Sequence, residues 1–333
     1  MRVSVLINPK AGTVKEDLIE RKVREALFRC ELNFHSAPST DSMSNFIKKE
    51  LAEKTDVLMI CGGDGTISTT LQILMTNEKN IENLPPICII RSGTANDLAH
   101  EIGIPERIDN AARLILEGKE KKIDVIEIEA NGNKKYMLTN GGLGVPAETA
   151  DKANKLRSLL QSIAADQNQV FFSKILSQYS YRLVKKMGSF VYIALLLETL
   201  RVWQQQGWDL EIEFSDGRKI KTIAPFVLVN NQPLLGKNFL TAPYTSNNDG
   251  LINLLLIQSS TRLSQLQEVF KVYTGQLYES DIVKIHELSE FTIRTRNKNR
   301  KITFFGDGEI LFRDVDEIKI RALHQALTVM VQK

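Results

Sequence analysis

The order of apolar runs, turns and helical patterns predicts two domains. Residues 1–125 read as an α/β domain on a parallel sheet, and residues 126–333 as an antiparallel, sandwich-like β domain with a helical insert at about 150–205. Three observations carry this. Continuous apolar, β-rich runs alternate with helical stretches through the first 130 residues, as in a sheet covered on both faces. Beyond Glu129 the runs alternate in polarity and are joined by hairpin signals. The chain, at 333 residues, is long enough for two domains of ordinary size.

In chain order, Val3–Ile7 is the first strand, and Asn8-Pro9-Lys10-Ala11-Gly12 leads into a helix over Val14–Arg29. Thr13 and Glu16 have capping-box spacing at that helix start. The strand Val57–Cys61 follows, then Gly62-Gly63-Asp64-Gly65-Thr66 and a helix to about Met75. Ile87–Ile90 leads through Arg91-Ser92-Gly93-Thr94-Ala95-Asn96 into a short helix starting at Asp97. A helix over Asn110–Glu117 precedes the strand Ile123–Glu129, which carries Asp124 near its start. Asn131-Gly132-Asn133 then turns the chain into Lys135–Thr139. Further strands are expected at Asp209–Phe214, Lys219–Ile223, Phe226–Asn230, Leu251–Ile257, Phe291–Arg296 and Arg300–Phe305, with a helix at Leu263–Tyr273. The last residues are expected to return to the first domain.

Composition removes several classes of function. With 43 basic and 40 acidic residues the net charge is +3, too near balance for nucleic acid as a general partner. Cys30, Cys61 and Cys88 have no CxxC spacing, which argues against a disulfide framework or a cysteine-based zinc site. His35, His100, His286 and His324 lie far apart and contain no HExxH pair. The start reads straight into a strand, without the regions of a signal peptide. The longest apolar run, Phe190–Leu197, is eight residues, against about 20 for a spanning helix. A soluble, cytoplasmic protein is expected.

Three glycine-bearing loops leave strand carboxyl ends, which in parallel sheets share the edge where ligands bind. Glycines let the backbone approach an anion, and helix N-termini favour negative charge, so the chemistry expected is phosphate binding. Neither GxxxxGK[ST] nor GxGxxG is present. Asp64, Asp97 and Asp124 beside such loops suit Mg²⁺, held directly or through water. Read individually, each loop could equally be a tight turn, with Asp64 and Asp97 as helix caps.

NPKAG, GGDGT and GTANDLA, in this order and spacing, resemble the diacylglycerol kinase catalytic family of soluble lipid kinases, to which sphingosine and ceramide kinases are related. Asn248-Asp249-Gly250-Leu251 and Gly306-Asp307-Gly308-Glu309 extend the likeness over nearly the whole chain. The resemblance implies a Rossmann-like first domain binding ATP at Asn8, Pro9, Lys10, Ala11, Gly12, Thr40, Gly63, Asp64, Gly65, Thr66, Thr94 and Asn96. It implies a catalytic Mg²⁺ network at Asp64, Asp97 and Asp124, and a structural Mg²⁺ at Ser246, Asp249 and Leu251. Glu309 corresponds to the family's base on the lipid hydroxyl, with Asp307 as the alternative. The chain departs from common family patterns at Ile67-Ser68-Thr69, at Arg91-Ser92 and at Ser246.

The implied activity is ATP- and Mg²⁺-dependent phosphorylation of a lipid hydroxyl, diacylglycerol or a similar alcohol. The alternatives are a soluble-substrate kinase of the NAD kinase type and a nucleotide-binding regulator without transfer. From Lys152 to Arg201 eight basic residues face two acidic ones, Asp166 and Glu198, among Phe171, Phe172, Tyr179 and Tyr181. Such a segment suits peripheral contact with an anionic membrane. A homodimer through a sheet edge is compatible with the pattern; no nucleic-acid partner is expected.

Overall fold

The structure, a computed structural model, describes residues 1–11, 15–78, 80–93, 96–165, 194–195, 198–199, 207–236, 239–258, 261, 263–264, 267–268, 270–271, 276 and 281–333. Gly12, Thr94 and most of the insert expected at 150–205 lie outside them, as does much of the helix expected at Leu263–Tyr273. Elements are numbered in chain order. The chain divides into two compact units: Met1–Thr139 with Tyr244–Ile252 and Ile320–Lys333, and Asn140–Pro243 with Asn253–Lys319.

In the first unit, β1 (Arg2–Ile7) pairs in parallel with β2 (Glu31–Ser36) and β3 (Val57–Gly62), and β3 with β4 (Ile87–Arg91). The far part of β18 (Glu317–Val331) joins β4 in parallel, Val329 opposite Ile87. The strands of β1, β3 and β4 are almost wholly buried because helices need apolar cover on both sheet faces. The helices are α1 (Glu16–Ala26), α2 (Thr40–Ala52), α3 (Asp64–Asn77), α4 (Asp97–Glu101) and α5 (Ile108–Glu117). The hairpin β5 (Lys119–Ala130) and β6 (Asn133–Met137) turns through Asn131 and Gly132, both at positive φ (50° and 74°), as a two-residue type I′ turn requires. The sequence suggested a boundary after residue 125; β5 and β6 stay with the first unit to Thr139 because α3 grips the edge, Gln72 Nε2 donating to Tyr136 O (2.6 Å) and Gln72 Oε1 accepting from Tyr136 N (3.1 Å).

Thr13, the first residue of the expected capping box with Glu16, lies outside the described residues. Lys15 is the N-cap of α1, and Glu16 Oε2 accepts from Ser36 Oγ (3.0 Å). The pair β2–α2 was not anticipated. Ser39 caps α2 through Ser42 N (3.2 Å), and buried Glu50 accepts from Arg2 (2.9 Å), Asn33 (2.8 Å) and Ser4, pinning α2 to β1 and β2.

In the second unit a six-stranded sheet runs β14 (Val283–Leu288), β13 (Ile252–Ile257), β10 (Phe226–Asn230), β7 (Asn140–Gly144), β16 (Ile302–Gly306), β17 (Glu309–Val315). β8 (Trp208–Phe214) pairs antiparallel with β9 (Lys219–Ala224) and with β15 (Glu290–Thr295). Two short strands, β11 (Leu234–Leu235) and β12 (Phe239–Leu240), form a small ribbon. α6 (Val145–Ala165) lies against β7, β16 and β17. Gly142 (φ 154°) brings β7 so close to β10 that a side chain would strike the Val227 carbonyl. The two expected classes, parallel α/β and antiparallel β, are both present. No helix among the described residues is long and apolar enough to cross a membrane.

Candidate active site

Parallel pairing puts the loops after β1, β2, β3 and β4 on one edge of the first unit's sheet, and hydrogen bonds join them. Asn8 N donates to Cys61 O (3.1 Å), and Asn8 Nδ2 to Thr66 Oγ1 (2.9 Å) at the start of α3. Asn8 Oδ1 accepts from Lys10 N (3.0 Å), and Ala11 N donates to Asn8 O (3.0 Å), closing the Asn8–Ala11 turn. Pro9 and Lys10 are exposed on it, and Thr40 is exposed at the start of α2.

The loops after β3 and β4 are sewn together by Asp64. Its Oδ2 accepts from Asn96 N and its Oδ1 from Asp97 N, each at 2.7 Å. Ser92 N also donates to Gly62 O (3.0 Å). A Cβ on Gly63 would stand 2.8 Å from the Cα of Gly93, so both glycines are required by the loop contact itself. Gly65 differs: it is exposed in the first turn of α3, and a Cβ there would meet nothing within 4 Å. Asn96 takes a left-handed conformation (φ 54°), its Oδ1 accepting from Gly93 N and its Nδ2 donating to Gly93 O, both at 3.0 Å. Burial pushes the Asp64 carboxyl above its ordinary value, while the amides of Asp97 and Asn96 pull the other way.

Asp124 lies in the interior of the first unit. It is fully buried, Oδ2 accepting from Gly250 N (2.7 Å) and Oδ1 from Gln325 N (2.7 Å) and His324 Nδ1 (3.0 Å). Its own amide donates to Asn247 O (2.7 Å), so it ties β5 to the 244–252 loop and to β18. Among the described residues no three carboxylate, histidine or cysteine side chains gather to enclose a metal. The Asp124 oxygens face backbone amides inside the unit. Ser246, Asp249 and Leu251 share one loop: Ser246 Oγ donates to Asn248 Oδ1 (2.7 Å) and Leu251 N to Asp249 Oδ1 (2.9 Å).

In the second unit, Gly306 pairs with Glu309 across a two-residue turn, with Asp307 (φ 52°) and Gly308 (φ 81°) both left-handed. Asp-Gly between two strands is itself a type I′ hairpin signal, which the sequence reading did not use. Asp307 N donates to Asn140 O (3.1 Å), while Asn140 Oδ1 accepts from Asn231 N (3.1 Å) and Gln232 N (3.2 Å). Glu309 is exposed at the start of β17. Asn140, His324 and Gln325 were missed because no local motif marks them.

Residues 2–128 match the diacylglycerol kinase catalytic domain, and residues 175–331 match the YegS C-terminal NAD kinase beta sandwich-like domain. Residues 2–128 are thus a diacylglycerol kinase catalytic domain by their family match. A diacylglycerol kinase from Bacillus subtilis (strain 168) is 24% identical over 316 residues, covering 92% of this chain and 89% of that protein. Another, from Mycobacterium tuberculosis, is 26% identical over 237 residues, covering 70% of this chain and 65% of that protein; the chain thus spans a little under two thirds of that relative. A crystal structure of a diacylglycerol kinase from Bacillus anthracis str. Sterne shares the fold, with TM-score 0.67, 21% identity and coverage of 99% and 97%.

Proposed function

We propose that this protein is an ATP- and Mg²⁺-dependent kinase that phosphorylates the hydroxyl of a lipid alcohol, diacylglycerol or one like it. The observation that carries the reading is the Asp64 carboxylate bridging to the Asn96 and Asp97 amides, which joins the loops after β3 and β4 into one edge.

On this reading the phosphates lie along the Asn8–Ala11 turn and the first turn of α3, where Gly65 leaves room for them. Mg²⁺ fits the donor set in a limited sense: Asp64 and Asp97 offer hard oxygens beside two helix starts, and phosphate and water would complete the shell, as is usual for this ion. Bound there, it would neutralise charge on the phosphates. Asp124 acts at one remove, holding Gly250 and Gln325. The same reading keeps Ser246, Asp249 and Leu251 as a structural cation site in the adjoining loop. Glu309 takes the proton of the lipid hydroxyl as its oxygen attacks the γ-phosphorus, and ADP leaves. Peripheral contact with an anionic membrane, through the basic stretch from Lys152 to Arg201, belongs to the same proposal.

The test is phosphate transfer from labelled ATP, with Mg²⁺, to a panel of lipids in mixed micelles. Glu309→Gln is expected to lower turnover at least about 100-fold with ATP binding kept, since only proton transfer is removed. Asp64→Asn is expected to lose turnover and nucleotide affinity together, because an amide cannot accept both loop N–H bonds as the carboxylate does. Full turnover in Glu309→Gln would remove Glu309 as the base, and no labelled lipid from the unaltered protein would count against the lipid acceptor.

A further inference from the structure

Resting on the kinase reading above, we infer that Asn154 is a positioning residue that holds the Glu309 carboxylate and the Asp307–Glu309 turn. Asn154 lies on α6, and its Nδ2 donates to Gly308 O (3.0 Å) and to Glu309 Oε2 (3.3 Å). Both partners are acceptors only, so the amide group can face them in just one orientation. That orientation leaves Asn154 Oδ1 buried with no hydrogen-bond partner. A buried acceptor left unsatisfied is costly, and such groups concentrate where function demands a particular arrangement.

The helix does not need this contact to stay on the sheet. Ala147, Ala150 and Ala153 bury the inner face of α6. Arg313 Nη2 reaches Asp151 Oδ1 (2.6 Å) from β17. Asn154 is thus spare for the turn. Glu309 is exposed, and an exposed glutamate samples many rotamers; one amide donor on Oε2 and another on the Gly308 carbonyl restrict it. A base held in reach of the hydroxyl gains from alignment.

A double-mutant cycle tests this. Asn154→Ala and Asn154→Leu, the second keeping the volume, are expected to lower kcat about tenfold with the ATP KM unchanged. In a Glu309→Gln background the same changes should have no further effect, because the group they act through is gone. Independent losses that multiply would overturn the assignment, as would a fall in ATP affinity matching the fall in kcat. A second readout needs no turnover: in protein carrying ¹³C at glutamate side-chain carboxyls, the Glu309 resonance is identified by its loss in Glu309→Gln. It should move in Asn154→Ala, and an unmoved resonance in the folded variant would overturn the contact. Absence of kinase activity in the unaltered protein would instead defeat the functional reading, leaving the resonance to decide on Asn154.

Discussion

At the scale of single residues, the glycines of the loops after β3 and β4 separate into two kinds. Gly63 and Gly93 are there because their backbones touch, whereas Gly65 has open space where a side chain would be. Gly65→Ala should therefore keep or slightly raise thermal stability, since alanine is favoured over glycine in a helix by roughly 1 kcal/mol. It should at the same time raise the KM for ATP several-fold by filling the space proposed for phosphate. Thermal melts and steady-state kinetics on one preparation check both halves; a lower melting point with unchanged KM would make Gly65 structural. The motif was legible in the sequence, and this division of labour was not. Which glycine faces a neighbour depends on the loop after β4, 30 residues away.

At the scale of elements, helix ends and turns carry most of the polar detail. α5 begins beside Arg107, which reaches Asp109 in the first turn (2.8 Å) and holds its carboxyl down at about 2, against an ordinary 3.8. A depressed acid stabilises the fold above its unfolded value and loses that contribution as pH falls through the folded one. The melting temperature of Arg107→Gln should hence lie below that of the unaltered protein at pH 5 to 7, with the gap closing as pH falls from 3.8 towards about 2. A gap independent of pH would show that the pair does not act through Asp109. Strands were legible from apolar runs: Phe226–Asn230 falls where the pattern predicts, and Asp209–Phe214 and Leu251–Ile257 differ by one residue. β2, α2 and β7 were not, because β2 is only partly buried and β7 is glycine-rich, so neither shows a continuous apolar run.

At the scale of the whole molecule, the first unit is discontinuous in the chain. It includes Tyr244–Ile252 and Ile320–Lys333, and buried Asp124 bonds to both segments. A fragment of residues 1–139 would expose that carboxylate and strip β18 from the edge of β4, and is expected not to melt cooperatively. A cooperative calorimetric transition of the fragment would contradict this. The sequence by itself determined the alternation of strands and helices, the hairpin at Asn131-Gly132 and the glycine loops at the strand ends, because these rest on preferences that act over a few neighbouring residues. Only the tertiary structure decided what each carboxylate faces. Asp64 meets amides 32 and 33 residues away, Asp124 amides 126 and 201 away, and Glu309 an amide 155 away. Partners so distant are chosen by how the chain packs, and a buried oxygen must take whichever donors that packing brings.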